Sequence, residues 1–403
     1  MPASSTPARV TRPLTVDDFH DSIRLGMEAF GALPEGMPAP TPEGFPRPGR
    51  HTWGTFEDGG LVARVVGNEF RSWFRGVEVP TCGVGGVTVV AERRGSGFLH
   101  GLFVAMLDEA AGRGEVISTL FPTAPGIYRR LGYEVVGSYD TVAVPTALLG
   151  GVAAPAGVTT RRARLEDVPA VRATYDAWAA VQNGPLTRRS AAFPATDEEL
   201  LATSTAITLA EGAGGRLMGY AVWNRGRGYD SSAAIDVEDL VALTPDAARA
   251  LWRVLGSFGS VTGSVRVRTS GNDVSRLVLP FLDWDVVERH PYMLRVHDVA
   301  AALSVLPLAK EGAVGFRVEG DVLGTMDGGY RLRVADGRTT CERAEVADDA
   351  AVLTPQGMAL LYAGDQSCGN LRLAGHLRAG SPADDAVLDT LLGSGQLHIR
   401  DYF

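Results

Sequence analysis

Cysteine is scarce in this 403-residue chain, and long apolar runs are absent. Only Cys82, Cys341 and Cys368 occur, widely spaced and odd in number, so neither a disulfide framework nor a cysteine-based metal site is expected. The seven histidines lack the His-x-x-x-His spacing of a helical site, and we predict no metal. No run of about eighteen apolar residues appears, and residues 1–7 lack the features of a secretion signal. These absences predict a cytoplasmic protein that is neither exported nor inserted in a membrane.

The composition is that of a soluble globular protein. Hydrophobic residues make up 45% of the chain and charged residues 21%, which argues against wholesale disorder. A length of 403 residues predicts two or three compact domains. The formal net charge of −9 disfavours nucleic acid as a partner and favours the approach of cationic amines.

The most informative segment is residues 87–107. An apolar strand over Val87–Val90 meets a short turn of arginines and glycines, and an amphipathic helix follows, with its apolar residues at helical spacing. Gly95 and Gly97 let a ligand approach the backbone closely, and the free amides of a helix N-terminus attract anions. The segment predicts a diphosphate site, although an ordinary glycine-containing loop between strand and helix has the same pattern.

A second strand is predicted over residues 116–121, and a short helix ending near Gly132 follows it. The turn and this second unit together resemble the GNAT acetyltransferases, whose acetyl-CoA motif is Arg/Gln-x-x-Gly-x-Gly/Ala. Arg94 and Gly97 occupy its first and fourth places, while Leu99 departs from the small sixth residue. With the length of the chain, the match resembles most the Eis (enhanced intracellular survival) family of N-acetyltransferases.

The resemblance implies acetyl-CoA as cosubstrate, with no metal. It implies that the strands around the turn splay apart, that the cofactor lies along them, and that Tyr128 protonates or hydrogen-bonds the leaving thiolate. The cofactor contacts implied are Val87, Thr88, Val89, Arg94, Gly95, Ser96, Gly97, Phe98, Leu99, His100, Thr123 and Ala124. A fully paired strand at Val87–Val89, a purely structural Tyr128 and a surface His100 remain the alternatives.

In Eis enzymes the carboxylate of the last residue acts as the base, which here implies Phe403. Leu397 and Ile399 alternate before an aromatic end, which favours a buried tail over a frayed one. An α-carboxyl with a pKa near 3.5 is a weak base for an alkylammonium near 10, so we expect it to accept the proton as attack proceeds. Substrate contacts are assigned to Glu28, Phe30 and Asp401.

The chain also contains a weak internal repeat. Residues 12–19 align with residues 161–168 at an offset of 149, and each copy leads into a helical pattern. In the second copy, a strand over Leu240–Thr244 leads into a helix at Asp246 without an arginine and glycine cluster, and an acidic first turn repels phosphate. We therefore expect a second GNAT-like domain without cofactor.

The last hundred residues change to a helix followed by short strands, with a turn predicted at Asp327–Gly329 and a capped helix at Thr354. This order resembles the sterol carrier protein fold that ends Eis chains. The predicted fold is therefore mixed α/β (α+β): two tandem GNAT-type domains, 1–155 and 156–298, and a sterol carrier protein-like domain, 299–403, whose tail reaches the active site.

The function predicted is acetyl transfer to amines of polycationic substrates such as aminoglycosides, as in antibiotic resistance, or to lysine side chains. The Eis resemblance also implies a homohexamer. The competing hypothesis is a coenzyme A-binding scaffold without turnover. Transfer of longer acyl or aminoacyl groups by duplicated GNAT domains is a third, although the acidic balance argues against a tRNA-bound donor.

Overall fold

The computed structural model describes residues 8–32, 39–193, 196–202, 204–270, 273–393 and 395–403. The first part of the chain forms β1 Arg9–Pro13, α1 Phe19–Phe30, β2 Arg50–Glu57, β3 Gly60–Phe74, β4 Val77–Val89, α2 Phe98–Gly112, β5 Ile117–Leu120, α3 Pro125–Arg129 and β6 Glu134–Pro145. The second part forms β7 Thr159–Arg162, α4 Val168–Ala179, α5 Asp197–Ala202, β8 Ala206–Glu211, β9 Leu217–Arg225, β10 Ala234–Ala242, α6 Pro245–Gly256, β11 Ser264–Thr269 and β12 Asp285–Val296. The third forms α7 Val299–Ser304, β13 Gly312–Val318, β14 Gly328–Ala335, β15 Arg338–Arg343, β16 Ala351–Leu353, α8 Pro355–Ala363, α9 Cys368–Leu373, β17 Leu377–Arg378 and α10 Pro382–Leu392.

The helix predicted after the glycine turn is α2, and its apolar stripe is buried as its spacing predicts. Leu102, Phe103 and Met106 are wholly inaccessible to solvent and pack against the inward side chains Ala63 and Val65 of β3. Buried surface of this kind contributes about 25 cal/mol per Å² of apolar area, so this face anchors α2 on the sheet.

The first two parts of the chain share one mixed sheet. Twelve strands of the described residues run in the order β1-β2-β3-β4-β5-β12-β6-β11-β10-β9-β8-β7. β12 from the second part is inserted between β5 and β6 of the first, and β6 pairs with β11 of the second. The last strand of each half therefore pairs with strands of the other half. The predicted domain boundaries at residues 155 and 298 divide the sequence but do not describe this exchange of strands.

The internal repeat is visible as the same pair of charged groups in both halves. Arg12 Nη1 lies 2.7 Å from Asp18 Oδ2, and Arg161 Nη1 lies 2.6 Å from Asp167 Oδ2, at the offset of 149 found in the sequence. Each carboxylate also accepts a backbone N–H at the start of the helix that follows, which is the usual stabilising arrangement for a helix N-terminus. The repeat is therefore structural as well as sequential.

The third part of the chain forms a five-stranded sheet in the order β15-β14-β13-β16-β17, covered by helices. Thr354 caps α8 by accepting the N–H of Gly357, as predicted. The turn predicted at Asp327–Gly329 is wrong in place, because Gly328 and Gly329 already pair with β13. The chain turns earlier, around Asp321, whose carboxylate accepts several N–H groups of the loop, including that of Met326.

Arg295 on β12 joins the three parts. Its Nη2 lies 2.9 Å from Asp321 Oδ2, its Nη1 donates to the carbonyl of Leu131, and both charged side chains are wholly buried. Gly132 has φ +86°, and a Cβ there would collide with the Arg295 guanidinium. Glycine at this turn thus admits the arginine that ties the loop at Asp321 to the first GNAT domain.

Replacement of the buried Asp321 carboxylate tests the ion pair between Arg295 and Asp321. We expect Asp321→Asn to lower the free energy of unfolding by about 3–5 kcal/mol, because it leaves Arg295 buried without a counter-charge. The pKa of Asp321 is lowered by the Arg295 contact despite burial. The stabilisation that ionised Asp321 gives to the folded protein is therefore present at neutral pH. It is lost as the pH falls below about 3.9, the pKa of aspartate in the unfolded chain.

Chemical denaturation measures this loss. Asp336→Asn, at an exposed turn between β14 and β15, is the matched control and is expected to change the free energy of unfolding by less than about 0.5 kcal/mol. Equal, small effects for the two variants would contradict the role given to Asp321.

Candidate active site

A gap opens in the sheet between β4 and β5. The two strands pair in parallel only at Thr81↔Ile117, Cys82↔Ser118 and Gly83↔Thr119. β5 then ends at Leu120, whereas β4 continues for six residues beyond Gly83 to Val89. Along this stretch β4 has a strand neighbour on one side only, so its free edge faces the gap.

The backbone direction of β4 presents hydrogen-bond donors to this gap. Val90 donates its N–H to the carbonyl of Val62, toward β3. Because amides alternate along a strand, those of Val89 and Val87 point the other way, toward the gap. A β-bulge is formed by Gly86 and Val87, which together oppose Val65 of β3, and Gly86 has φ +56°, a conformation that favours glycine. The fully paired strand that was the alternative is excluded for this stretch.

The turn after β4 leaves the N-terminus of α2 bare. Gly97, with φ +77°, is the N-cap residue and has no side chain to accept the first amides of the helix. The N–H groups of residues 98–100 are therefore available to an anion, at the positive end of a 15-residue helix. In the second half, Thr244 caps α6 and Asp246 occupies its first turn, so that helix N-terminus is already satisfied.

A cleft of about 540 Å³ lies over this helix end. Three arginine side chains line the cleft. Arg93 is paired with Glu57, whereas Arg94 and Arg130 bond only to backbone carbonyls within the described part of the chain. The lining comprises Val89, residues 93–100, Ile127, Arg130, Leu131 and Val322. Two arginines, bare amides and apolar side chains are a set that suits the diphosphate and the apolar parts of coenzyme A.

Tyr128 lies on α3 beside the gap and is buried among Phe103 and Tyr133. Burial raises its pKa to about 12, so the hydroxyl keeps its proton. Its hydroxyl donates to no group among the described residues, whereas that of Tyr133 lies 2.6 Å from Ser118 Oγ. Tyr128 is therefore the tyrosine with a proton to offer a ligand, and Tyr133 is structural.

The C-terminal tail crosses from the third part of the chain to the first. Leu397 and Ile399 are buried in the core, and the N–H of His398 donates to the carbonyl of Asn183. The Phe403 ring packs on Phe70 with centroids 4.9 Å apart. The predicted buried tail is confirmed.

The end of the tail lies at the mouth of the gap. A Cβ on Gly83, the last β4 residue paired with β5, would lie 3.0 Å from a ring carbon of Phe403. Phe121, which follows β5, contacts both Tyr402 and Phe403. The last residue is thus held where β4 and β5 separate.

The three residues predicted to bind substrate have different surroundings. Glu28 Oε1 accepts the N–H of Ala91, two residues after β4, and Phe30 is 58% exposed at the end of α1. Asp401 faces the second half, where Arg188 Nε lies 2.9 Å from its Oδ1. Arg188 is therefore its ion-pair partner in the structure, and burial raises the pKa of Asp401. A substrate contact at Asp401 stays a prediction.

Of the remaining predicted contacts, Thr123 and Ala124 lie in the connection from β5 to α3, across the gap from β4. His100 Nε2 lies 2.9 Å from the carbonyl of Val322, in a loop of the third part of the chain. Sequence analysis missed Arg130, although its position three residues after Ile127 would have put both on one face of a short helix. It could not have found Val322, because nothing local shows where that loop docks.

Comparison with known proteins agrees with this geometry. Residues 10–136 and residues 184–296 each match an acetyltransferase (GNAT) domain, and residues 299–399 match a sterol carrier protein domain. An uncharacterized N-acetyltransferase of Streptomyces griseus is 28% identical over 376 residues, which cover 84% of this chain and 86% of the relative. Another from Streptomyces coelicolor is 27% identical over 401 residues, covering 94% and 95%.

Solved structures give the same result. A GCN5-related N-acetyltransferase from Kribbella flavida superimposes with a TM-score of 0.82 at 27% identity, covering 99% of each chain. Eis1 from Mycobacterium abscessus has a TM-score of 0.75 at 22% identity, covering 98% of this chain and all of that one.

The chain is thus an enzyme of the GNAT class, an N-acetyltransferase with two GNAT domains and a sterol carrier protein domain. Its three-domain fold is that of Eis1, and the Eis-like resemblance predicted from residues 87–133 is confirmed for the fold. GNAT domains use acetyl-CoA as cosubstrate, which the bare helix end and the free β4 edge fit. No helix among the described residues has the length and apolar character needed to span a membrane.

Arg130 lines the cleft and Arg129 does not, so replacement of each tests whether the cleft binds the diphosphate. We expect Arg130→Ala to weaken coenzyme A binding about 5- to 10-fold, or ~1 kcal/mol, because it removes a cation that faces the cleft. Arg129→Ala is the control, since Arg129 is paired with Glu134. Isothermal calorimetry at low and high salt measures both, and the difference should shrink with salt. Equal affinities for the two variants would contradict the placement of the diphosphate.

Proposed function

We propose that the chain transfers the acetyl group of acetyl-CoA directly to a primary amine at the mouth of the gap between β4 and β5. The observation that carries this proposal is the free edge of β4 beside the bare N-terminus of α2. The diphosphate is held by the backbone amides of residues 98–100 together with Arg94 and Arg130. The backbone amides of Val87 and Val89 hold the acetyl-bearing arm and polarise its carbonyl. Acetyl-CoA supplies an activated thioester.

The remaining proposed roles belong to Phe403 and Tyr128. The amine nitrogen forms a bond to the acetyl carbon as the carbon–sulfur bond breaks. The α-carboxylate of Phe403 accepts the proton that the amine loses, and the Tyr128 hydroxyl donates a hydrogen bond to the departing thiolate. With its pKa raised to about 12, Tyr128 is a hydrogen-bond donor more than an acid, because full transfer to a thiolate near 8.5 is uphill.

Polycationic amines such as aminoglycosides, and lysine side chains, are the narrower acceptor class to test. The net charge of −9 supports them. So does a cleft of about 580 Å³ next to the tail, which contains Asp176, Glu238, Asp239 and Asp401. Four arginines also line that cleft, however, and Arg188 bridges Asp239 and Asp401. A role in antibiotic resistance, a hexameric assembly and a cytoplasmic location remain predictions from the Eis resemblance.

Comparison of variants at Tyr128 and Tyr133 distinguishes a catalytic tyrosine from a structural one. We expect Tyr128→Phe to lower kcat about 10²-fold with little change in coenzyme A affinity, because it removes only the donor to the thiolate. Tyr133→Phe loses a hydroxyl that bonds to Ser118 and should lower stability but leave kcat within about threefold. Thiol release from acetyl-CoA with an amine panel gives the rates.

The pH profile adds an independent check on Tyr128. Since its pKa is raised, Tyr128 stays protonated up to a pH of about 10, and no rate loss from its ionisation is expected below that. A Tyr128→Phe rate equal to wild type, or a fall near pH 8 that the variant abolishes, would contradict the role.

Changes at the C-terminus test the proposed role of the Phe403 α-carboxylate as the proton acceptor. We expect deletion of Phe403, and equally a short extension after it, to reduce kcat at least about 10²-fold while coenzyme A affinity is kept. Phe403→Leu is the matched control, because it keeps the carboxylate at the same position and loses only ring contacts. The role is refuted if the extended chain turns over as fast as the wild type.

A further inference from the structure

Arg64 is a cation inside the first GNAT domain, on the face of the sheet that carries α1. Its Nη1 donates to the carbonyl and to the hydroxyl of Ser22 on α1, the latter at 2.7 Å. Gly26 lies against Nη2, where a Cβ would collide with it. The guanidinium is therefore held in place between α1 and the sheet.

No carboxylate among the described residues contacts Arg64. Its Nε is buried without a hydrogen-bond partner, and Nη2 makes no hydrogen bond with any described residue. Burial, together with the nearby Arg50, lowers the pKa of Arg64 to about 10. Arg64 is half-buried, and a charged group held away from water in this way is normally paired. Its Nη2 has no hydrogen-bond partner among the described residues and is available to a negative group.

Two further arginines add to the positive charge. Arg50 on β2 stands opposite Asn68 of β3, and Asn68 is four residues from Arg64 on the same face. Arg50 is exposed to solvent at the start of β2, where partial desolvation of its guanidinium and the neighbouring Arg47 lower its pKa, and no ion pair forms at Arg50 among the described residues. Arg64 and Arg50 thus place two positive charges on one face of the sheet, in a chain that is acidic as a whole.

This positive region adjoins the place of acetyl transfer. Arg64 pairs across the sheet with Thr88 of β4, between Val87 and Val89. A Cβ on Gly86, in the bulge, would lie 3.9 Å from Arg64 Nη2. Farther along the same face of β3, Phe70 supports the ring of Phe403. The Arg64 guanidinium therefore borders the part of β4 along which the acetyl group is proposed to lie, so a group next to the amine of an acceptor comes near it.

We propose that the acceptor of this enzyme is an amine that also carries a compact anionic group, such as a carboxylate, and that Arg64 binds this anion with Arg50 nearby. This rests on the proposed acetyl transfer to amines at the same site. Arg64 is then a specificity-determining residue: it favours amino acids and similar zwitterions. The polycations given above as the class to test would bring further positive charge to Arg64 and Arg50, so this inference ranks them behind the zwitterions. The amine remains free to reach the acetyl group.

The experiment compares matched acceptors that differ in one charge. The panel consists of α-amino acids from each side-chain class and the corresponding primary amides, which lack the carboxylate charge, together with one aminoglycoside. The measured quantity is the ratio of kcat/KM for acid over amide, from release of coenzyme A. For wild type we expect a ratio of at least about 10, as for loss of one charge-assisted hydrogen bond.

Variants then assign the preference to Arg64. Arg64→Gln should bring the ratio close to one, mainly through KM of the acids, with amide turnover within about threefold. Arg64→Lys should restore part of it. Arg24→Gln, an exposed position on α1, is the control and should leave the ratio unchanged. If Arg64→Gln does not fold, Arg50→Gln is expected to lower the ratio severalfold without touching α1.

A wild-type ratio near one, or faster turnover of the aminoglycoside than of every amino acid, would overturn the inference while leaving the acetyltransferase intact. A ratio that survives in Arg64→Gln would remove Arg64 from the account. No turnover of any amine despite coenzyme A binding would instead refute the proposed function itself, and the inference with it.

Discussion

The separation of β4 from β5 is the constraint on which the site depends. Three residue pairs hold the strands together, and beyond them the amides of Val87 and Val89 have no strand partner. Unpaired backbone groups inside a sheet are costly unless something binds them. The bulge at Gly86 and the uncapped start of α2 face the same space, so backbone geometry prepares a binding surface before any side chain contributes.

Exchange of strands between the two GNAT halves explains how a distant terminus reaches this gap. β12 lies beside β5, and it carries Arg295, which binds the turn at Leu131 and the loop at Asp321. The third part of the chain is therefore fixed against the first, and its tail can run through the interface to place Phe403 near Gly83. The sterol carrier protein domain thus helps to position the active site, whatever else it does.

Several features of the fold and of the candidate site could be predicted from the sequence because they depend on interactions between residues close together in the chain. The helix after Gly97, the repeat at Arg12 and Arg161, and the buried tail follow from periodicity and capping, which act over a few residues. The strand exchange, the docking of Val322 and the pairing of Asp401 with Arg188 depend on contacts more than a hundred residues apart. Arg64 shows the same limit, since its sequence neighbours do not reveal that it lacks a carboxylate partner.

The most direct test is a crystal structure of the full chain with acetyl-CoA. We predict the diphosphate on the amides of residues 98–100, the acetyl-bearing arm along Val87–Val89, and the sulfur within hydrogen-bonding reach of the Tyr128 hydroxyl. Coenzyme A bound elsewhere, or a gap between β4 and β5 closed by protein side chains, would contradict the account.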